Sequence, residues 1–141
     1  MIAFLDSSAF VALLLREPSG VEVARLVGEA RVVAASQLLL VESRSALARR
    51  ERGARETPEV LADARARSRD LLDGFLLMEV GRSLIDAAGV LCERQAIHSL
   101  DAIHLASALE LASGGDELVF VTNDRRLRDA ARAESLAVFP A

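Results

Sequence analysis

Five short apolar runs recur along the chain, each followed by a stretch of helical character, and none of them alternates apolar with polar residues. They are Ile2–Leu5, Arg31–Ala35, Phe75–Val80, Leu118–Val121 and Leu136–Phe139. A strand that is apolar on consecutive positions must be covered on both faces. Parallel sheets flanked by helices have that property. The pattern therefore predicts an α/β fold: a central, mostly parallel sheet of four to five strands, flanked by about seven helices in three α/β/α layers. No repeat, linker or low-complexity stretch divides the chain, so residues 1–141 read as one domain.

Local signals place the helices. A helix follows Asp6-Ser7-Ser8 through Leu15, and Ser19 is expected to cap a second one through Ala30. Ser36 is expected to cap a third, Gln37 to about Arg52, closed by Gly53. Thr57-Pro58-Glu59 offers a cap, a proline for the first turn and an acid for the positive helix end, so a fourth helix runs to about Asp73. Ser83–Gln95 and Ser99–Ser113 follow, the latter apolar on most sides and hence buried. Asn123 or Asp124 opens the last helix, which ends near Glu134.

Composition removes several function classes. Aromatic residues make up 4% of the chain, with no Trp or Tyr, so base-stacking platforms are not expected. All 17 basic residues are Arg, which excludes Walker-type phosphate loops and any catalytic lysine. The single cysteine, Cys92, excludes a disulfide scaffold and multi-cysteine metal sites, reads as a small packed residue, and suits a reducing cytoplasm. No apolar run approaches the ~18 residues of a membrane span. The first residues turn acidic at Asp6 without the basic stretch of a secretory signal. Charge is uneven: residues 44–69 hold eight Arg against four acids, while the whole chain carries -4. That segment is either a pair of solvated helix faces, with Arg52/Glu56 and Arg55/Glu59 paired at four-residue spacing, or a surface for an anionic partner.

In open α/β sheets, ligands bind beyond the carboxyl ends of the strands. Asp6 follows the first strand, and Asp124 lies just past the fourth. Asp101 falls in the first turn of the buried sixth helix, and Glu42 borders the apolar stripe of the third. Each has a plain structural reading, as a helix cap, a helix-start acid or a solvated edge residue. Taken together they would be four acids at one end of the sheet. Two carboxylates ~5 Å apart repel by ~3 kcal/mol at an effective dielectric of 20. A cluster must raise some pKa values or hold a cation, and with no Lys and no Arg evident at these positions, a divalent ion is the economical counter-charge. Oxygen ligands select Mg²⁺ or Mn²⁺.

The segments Leu5-Asp6-Ser7-Ser8-Ala9, Val41-Glu42, Leu100-Asp101-Ala102-Ile103-His104-Leu105-Ala106 and Val121-Thr122-Asn123-Asp124-Arg125-Arg126-Leu127 resemble, in order and spacing, the PIN-domain family. The likeness is nearest to VapC-type toxins of toxin–antitoxin pairs, and it covers essentially the whole chain. It implies a Mg²⁺- or Mn²⁺-dependent endoribonuclease. Asp6, Glu42, Asp101 and Asp124 match the family's four acidic positions, and Ser7 and Thr122 match hydroxyl positions beside the first and last. Asn123 is either a further polar site group or a cap. On this likeness Asp6, Asp101 and Asp124 would hold the ion and Glu42 would orient the attacking water. The implied partners are RNA, an antitoxin with a tail near the active site, and a second copy of the chain, through apolar surfaces of helices three to five.

Three rivals stand beside it. A metal-independent ribonuclease would need His98 and His104, which point about 240° apart on one helix. His104 reads instead as a packed histidine or one supporting a ligand. A phosphatase using Asp6 as nucleophile would want an Asp where Ser8 stands, and a Lys. The third rival is a non-catalytic binding module.

Overall fold

In the computed structural model, which describes Met1–Ala141, the apolar runs become β1 (Ile2–Leu5), β2 (Val32–Ser36), β3 (Leu76–Met78), β4 (Leu118–Val121) and β5 (Ala137–Phe139). They form one sheet in the order β3-β2-β1-β4-β5. Every neighbouring pair is parallel, so the sheet is wholly rather than mostly parallel. Seven helices connect the strands: α1 (Ser7–Leu14), α2 (Pro18–Glu29), α3 (Leu39–Arg52), α4 (Pro58–Asp73), α5 (Arg82–Gln95), α6 (Ser99–Ala112) and α7 (Arg125–Ala133).

The pleat divides the continuous runs between two cores. Ile2, Phe4, Leu118 and Phe120 face one side and pack on α5, α6 and α7. Ala3, Leu5 and Val121 face the other, against α1 to α4. Successive strand residues point to opposite faces, so an unbroken apolar run supplies both. Phe4 and Phe120, on adjacent strands, stack with ring centroids 5.9 Å apart.

Three helix starts follow the expected chemistry. Asp6 accepts from the Ala9 N–H, Thr57 from Val60 and Asp124 from Leu127, each the cap of its helix. Ser19 does not cap α2. That helix begins at Pro18, whose missing N–H costs nothing in a first turn, behind a Glu17 cap that makes no side-chain bond. Ser36 does not cap α3 either. It ends β2, its Oγ accepts from the Leu38 N–H at 3.2 Å, and the helix starts at Leu39. The third strand is shorter than its apolar run at both ends: Phe75 packs edge-on against Phe10 at 5.6 Å before it begins, and Glu79 and Val80 follow its last ladder residue, Met78.

Two tight places shape the α1–α4 layer. A Cβ at Gly20 would sit 2.2 Å from the Ala12 carbonyl oxygen, so α1 and α2 approach over a bare glycine. At the end of α3, the Ala54 N–H donates to Glu51 and the Arg55 N–H to Arg50. Ala54 takes a positive φ of 49°. This is a Schellman turn with alanine at the left-handed position. It separates Arg52 from Glu56 and Arg55 from Glu59, so the four-residue pairs expected there do not form. Arg50 pairs with Glu17 and Glu56 instead, and Arg65 with Glu51. No helix is long and apolar enough to cross a membrane.

Candidate active site

The order β3-β2-β1-β4-β5 reverses direction between β1 and β4, and a crevice opens at such a switch point. Asp6 leaves β1 there, tied to its neighbour strand by its N–H donating to the Val121 carbonyl at 3.1 Å. Thr122, Asn123 and Asp124 leave β4 beside it.

Asp6 is 2% exposed and densely bonded. Oδ1 accepts from the Ala9 N–H at 2.9 Å and the Ser8 hydroxyl at 2.8 Å. Oδ2 accepts from Thr122 Oγ1 at 2.6 Å and shares the Ser8 hydroxyl at 2.9 Å. The two hydroxyls are themselves held by β4's exit loop. The Asn123 N–H donates to Ser8 Oγ at 2.9 Å and the Asp124 N–H to Thr122 Oγ1 at 3.0 Å. Thr122 thus stands where a hydroxyl is expected, but the serine beside Asp6 is Ser8, not Ser7. On the first turn of α1, Ser7 points to Glu42 and Ser8 points back to the cap. The sequence does not rank the two serines, since both follow the Asp6 cap within the first turn.

Across the crevice, Glu42 of α3 meets α6. His104 is fully buried, and its Nε2 lies 3.1 Å from Glu42 Oε1, while its Nδ1 has no partner. Burial pushes Glu42 up, but the His104 and Ser7 hydrogen bonds, with the charges of His104 and Arg49, bring it below its ordinary range. Asp101, one turn before His104, is raised, first by burial and then by the carboxylates of Asp124 and Glu42. Asp6 is raised by its complete burial, which the Thr122, Ala9 and Ser8 bonds and the His104 charge only partly offset. His98 caps α6 from an exposed position without a side-chain bond, and joins the network only through its charge, which acts on Asp101.

The structure therefore brings the four acids to one end of the sheet in two tiers. Asp124 and Glu42 stand close enough to Asp101 to raise it, and Asp6 is buried against Thr122, whose Oγ1 also accepts from the Asp124 N–H. Asp6 and Asp124 serve as caps as well, so the structural reading and the site reading describe the same atoms. No three His, Cys, Asp or Glu side chains are spaced as a ready-made metal cage. The donor set still fits a hard cation of the Mg²⁺ kind. It consists of oxygens, Asp6 is raised by burial and Asp101 by burial and its acidic neighbours, and such ions bind through one or two carboxylates while keeping several waters.

Glu42 also opens onto a cleft of about 650 Å³ shared with Ser7, Ser8 and Asn123, whose far wall carries Arg49, Arg50 and Arg55. The expectation that no Arg stands near the acids fails here. The arginines lie two turns beyond Glu42 on α3 and in the following turn, a distance that only the folded helix closes. Asn123, besides donating through its backbone, gives its side-chain amide to Ser19 Oγ at 3.1 Å, so it pins the α2 start to the exit of β4.

A doubly covered parallel sheet with acids gathered at its switch point defines a single α/β domain with an acidic site at its carboxyl edge. The PIN-domain family model matches residues 3–133, and the chain belongs to that family. Ribonuclease VapC49 of Mycobacterium tuberculosis (strain ATCC 25618 / H37Rv) is 34% identical over 140 residues, 99% of this chain and 96% of the relative. Ribonuclease VapC46 of the same strain is 36% identical over 135 residues, 96% of this chain and 94% of the relative. These place the chain with the VapC-type members. Among solved structures, PAE2754 from Pyrobaculum aerophilum aligns with a TM-score of 0.64 at 21% identity, over 98% of this chain and 83% of that one. VapBC2 from Rickettsia felis, bound to a DNA fragment from its promoter, aligns with a TM-score of 0.64 at 16% identity, over 98% and 97%. Both share the fold.

Proposed function

We propose that the chain is a divalent-metal-dependent endoribonuclease, the toxin of a toxin–antitoxin pair. The observation that carries this reading is the gathering of Asp101, Asp124 and Glu42 at the switch point beside a buried Asp6, which Thr122 and Ser8 hold by hydrogen bonds. The near full-length likeness to proteins named ribonuclease supports the same reaction class. Asp101 and Asp124 would hold the ion, directly or through water, with Asp6 as the buried ligand behind them. When bound, Mg²⁺ or Mn²⁺ supplies charge neutralisation at a phosphate and a more acidic water.

The chain's own groups supply the positioning. Glu42, kept ionised by His104 and Ser7, accepts a hydrogen bond from the attacking water and fixes its direction. A carboxylate held below its ordinary range is a weak base, so orientation rather than proton storage is its contribution. Thr122 and Ser8 hold Asp6 in one rotamer by donating to both its oxygens. A protein antitoxin is the partner proposed from the relatives' names, and the exposed Leu40, Val41, Val60, Ile85 and Val90 on α3 to α5 give it, or a second copy, apolar surface to cover. The half-buried free thiol of Cys92 suits a cytoplasmic setting.

The test is incubation of the purified protein with total RNA in Mn²⁺ or EDTA, beside an Asp101→Asn variant. Cleavage by the wild type in Mn²⁺ alone is expected. Cleavage that survives EDTA, or is undiminished in the variant, overturns the reading.

A further inference from the structure

Eight arginines fall between residues 44 and 69, and the sequence does not distinguish them. The fold does. Three of them, Arg49, Arg50 and Arg55, line the cleft that opens from Glu42. Arg50 is committed: it is 26% exposed and bonds Glu17 at 2.8 Å and Glu56 at 3.0 Å, clamping the α1–α2 turn to both ends of the α3–α4 turn. Arg49 and Arg55 are exposed and have no carboxylate within ion-pair distance; Arg49 reaches only Ser45 Oγ, at 3.3 Å. The Schellman turn at Gly53-Ala54 folds the chain back, so that Arg55 lies over Gly53 and returns to the cleft instead of pointing away along α4.

We infer that Arg49 and Arg55 are a two-point grip for RNA backbone phosphates flanking the cleavage position, and that Arg50 is a structural clamp. This rests on the ribonuclease reading above. Glu42 and Arg49 are seven residues apart on one helix, a rise of about 10 Å. Successive phosphates of a single strand are closer together than that, so a backbone whose reacting phosphate lies among the acids has others in reach of the arginines. The cleft's only apolar lining residues are Val11, Ala46 and Leu100; the rest are three serines, three arginines, Asn123, Glu42 and the Glu17 that Arg50 neutralises. A phosphate backbone suits such a wall; a peptide tail would want apolar anchors. Free guanidinium forks grip phosphate oxygens bidentately, whereas one already saturated by two carboxylates does not.

The test is anisotropy binding of a short unstructured RNA oligomer in EDTA across a salt series, for the wild type, Arg49→Gln, Arg55→Gln, the double variant and Arg50→Gln. Each lost contact lowers the slope of log affinity against log salt by about 0.7 for single strands. Between about 50 and 200 mM salt the wild type should therefore weaken about sevenfold more than the double variant. Arg50→Gln should lower the melting temperature and leave the slope unchanged. An unchanged slope in the double variant, an equal loss in Arg50→Gln, or no RNA binding at low salt overturns the inference. Polyglutamate that binds as tightly through the same two arginines overturns it in favour of a peptide site. Cleavage in Mn²⁺ is scored separately. Arginine-dependent binding without cleavage defeats the nuclease reading alone, and cleavage with an unaltered slope defeats this inference alone.

Discussion

His104 Nε2 on α6 stands 3.1 Å from Glu42 Oε1 on α3, joining the two helical layers at the carboxyl edge of the sheet. The imidazole is fully buried and its other nitrogen is unpartnered, so this one bond determines how the ring serves the site. His104→Gln keeps a donor near that position and should retain most activity, whereas His104→Leu should cost about 10–100-fold in kcat, the usual loss when a supporting partner is removed. A purely structural role would make the two variants fail together, in proportion to their melting temperatures.

Asp101→Asn removes a charge that Asp124 and Glu42 oppose. The variant should lose RNA cleavage and gain stability without metal, by about 1–3 °C in melting temperature, since the group is only half-buried and solvent screens much of the repulsion. A lower melting temperature in EDTA would mean that Asp101 is held by favourable bonds instead.

Metal-free stability should rise as pH falls from neutrality toward 4.5, as Asp6 and Asp101 take up protons in the folded chain above their ordinary range. Asp6 and Asp101 have folded-state values above 3.8, so the folded chain binds more protons than the unfolded one and is destabilised as pH rises through those values. Glu42 and Glu134 are lowered, and their contribution is lost only below the ordinary value of 4.5, outside this window. Thermal melts in EDTA test the trend, and Mn²⁺ should flatten it. A melting temperature that drops with acidification over this range would contradict the assignment of these two carboxylates as charge-strained.

Thr122→Val keeps the shape and removes the hydroxyl that donates to Asp6 and accepts from the Asp124 N–H. The buried Asp6 carboxylate left short of a donor costs about 1–3 kcal/mol, readable by urea unfolding. A loss under about 0.5 kcal/mol would show that water replaces the hydroxyl.

Two backbone positions in the same layer should respond in opposite directions. Gly20→Ala drives a methyl to 2.2 Å from the Ala12 carbonyl and should cost over about 2 kcal/mol, because α1 and α2 must part. Ala54→Gly relieves a positive φ and should stabilise by about 0.3–1 kcal/mol. Equal effects of one sign in equilibrium unfolding would refute the geometry at one of them.

Much was legible in the sequence because it is encoded by neighbours along the chain. Apolar runs without alternation dictate strands covered on both faces, and Asp6, Thr57 and Asp124 cap helices because each side chain reaches an N–H three residues ahead. Positions 6, 42, 101 and 124 could be named as acids at strand ends and helix starts on the same local grounds. What the sequence could not determine was which of two adjacent hydroxyls turns toward Asp6, which of eight arginines is free, and that His104 meets Glu42. Those depend on the strand order that sets β4 beside β1 and on the turn at Ala54 that returns Arg55 to the cleft. Local propensity acts within one turn of helix or one strand, whereas a hydrogen bond between residues 62 apart exists only once the sheet has brought their helices together.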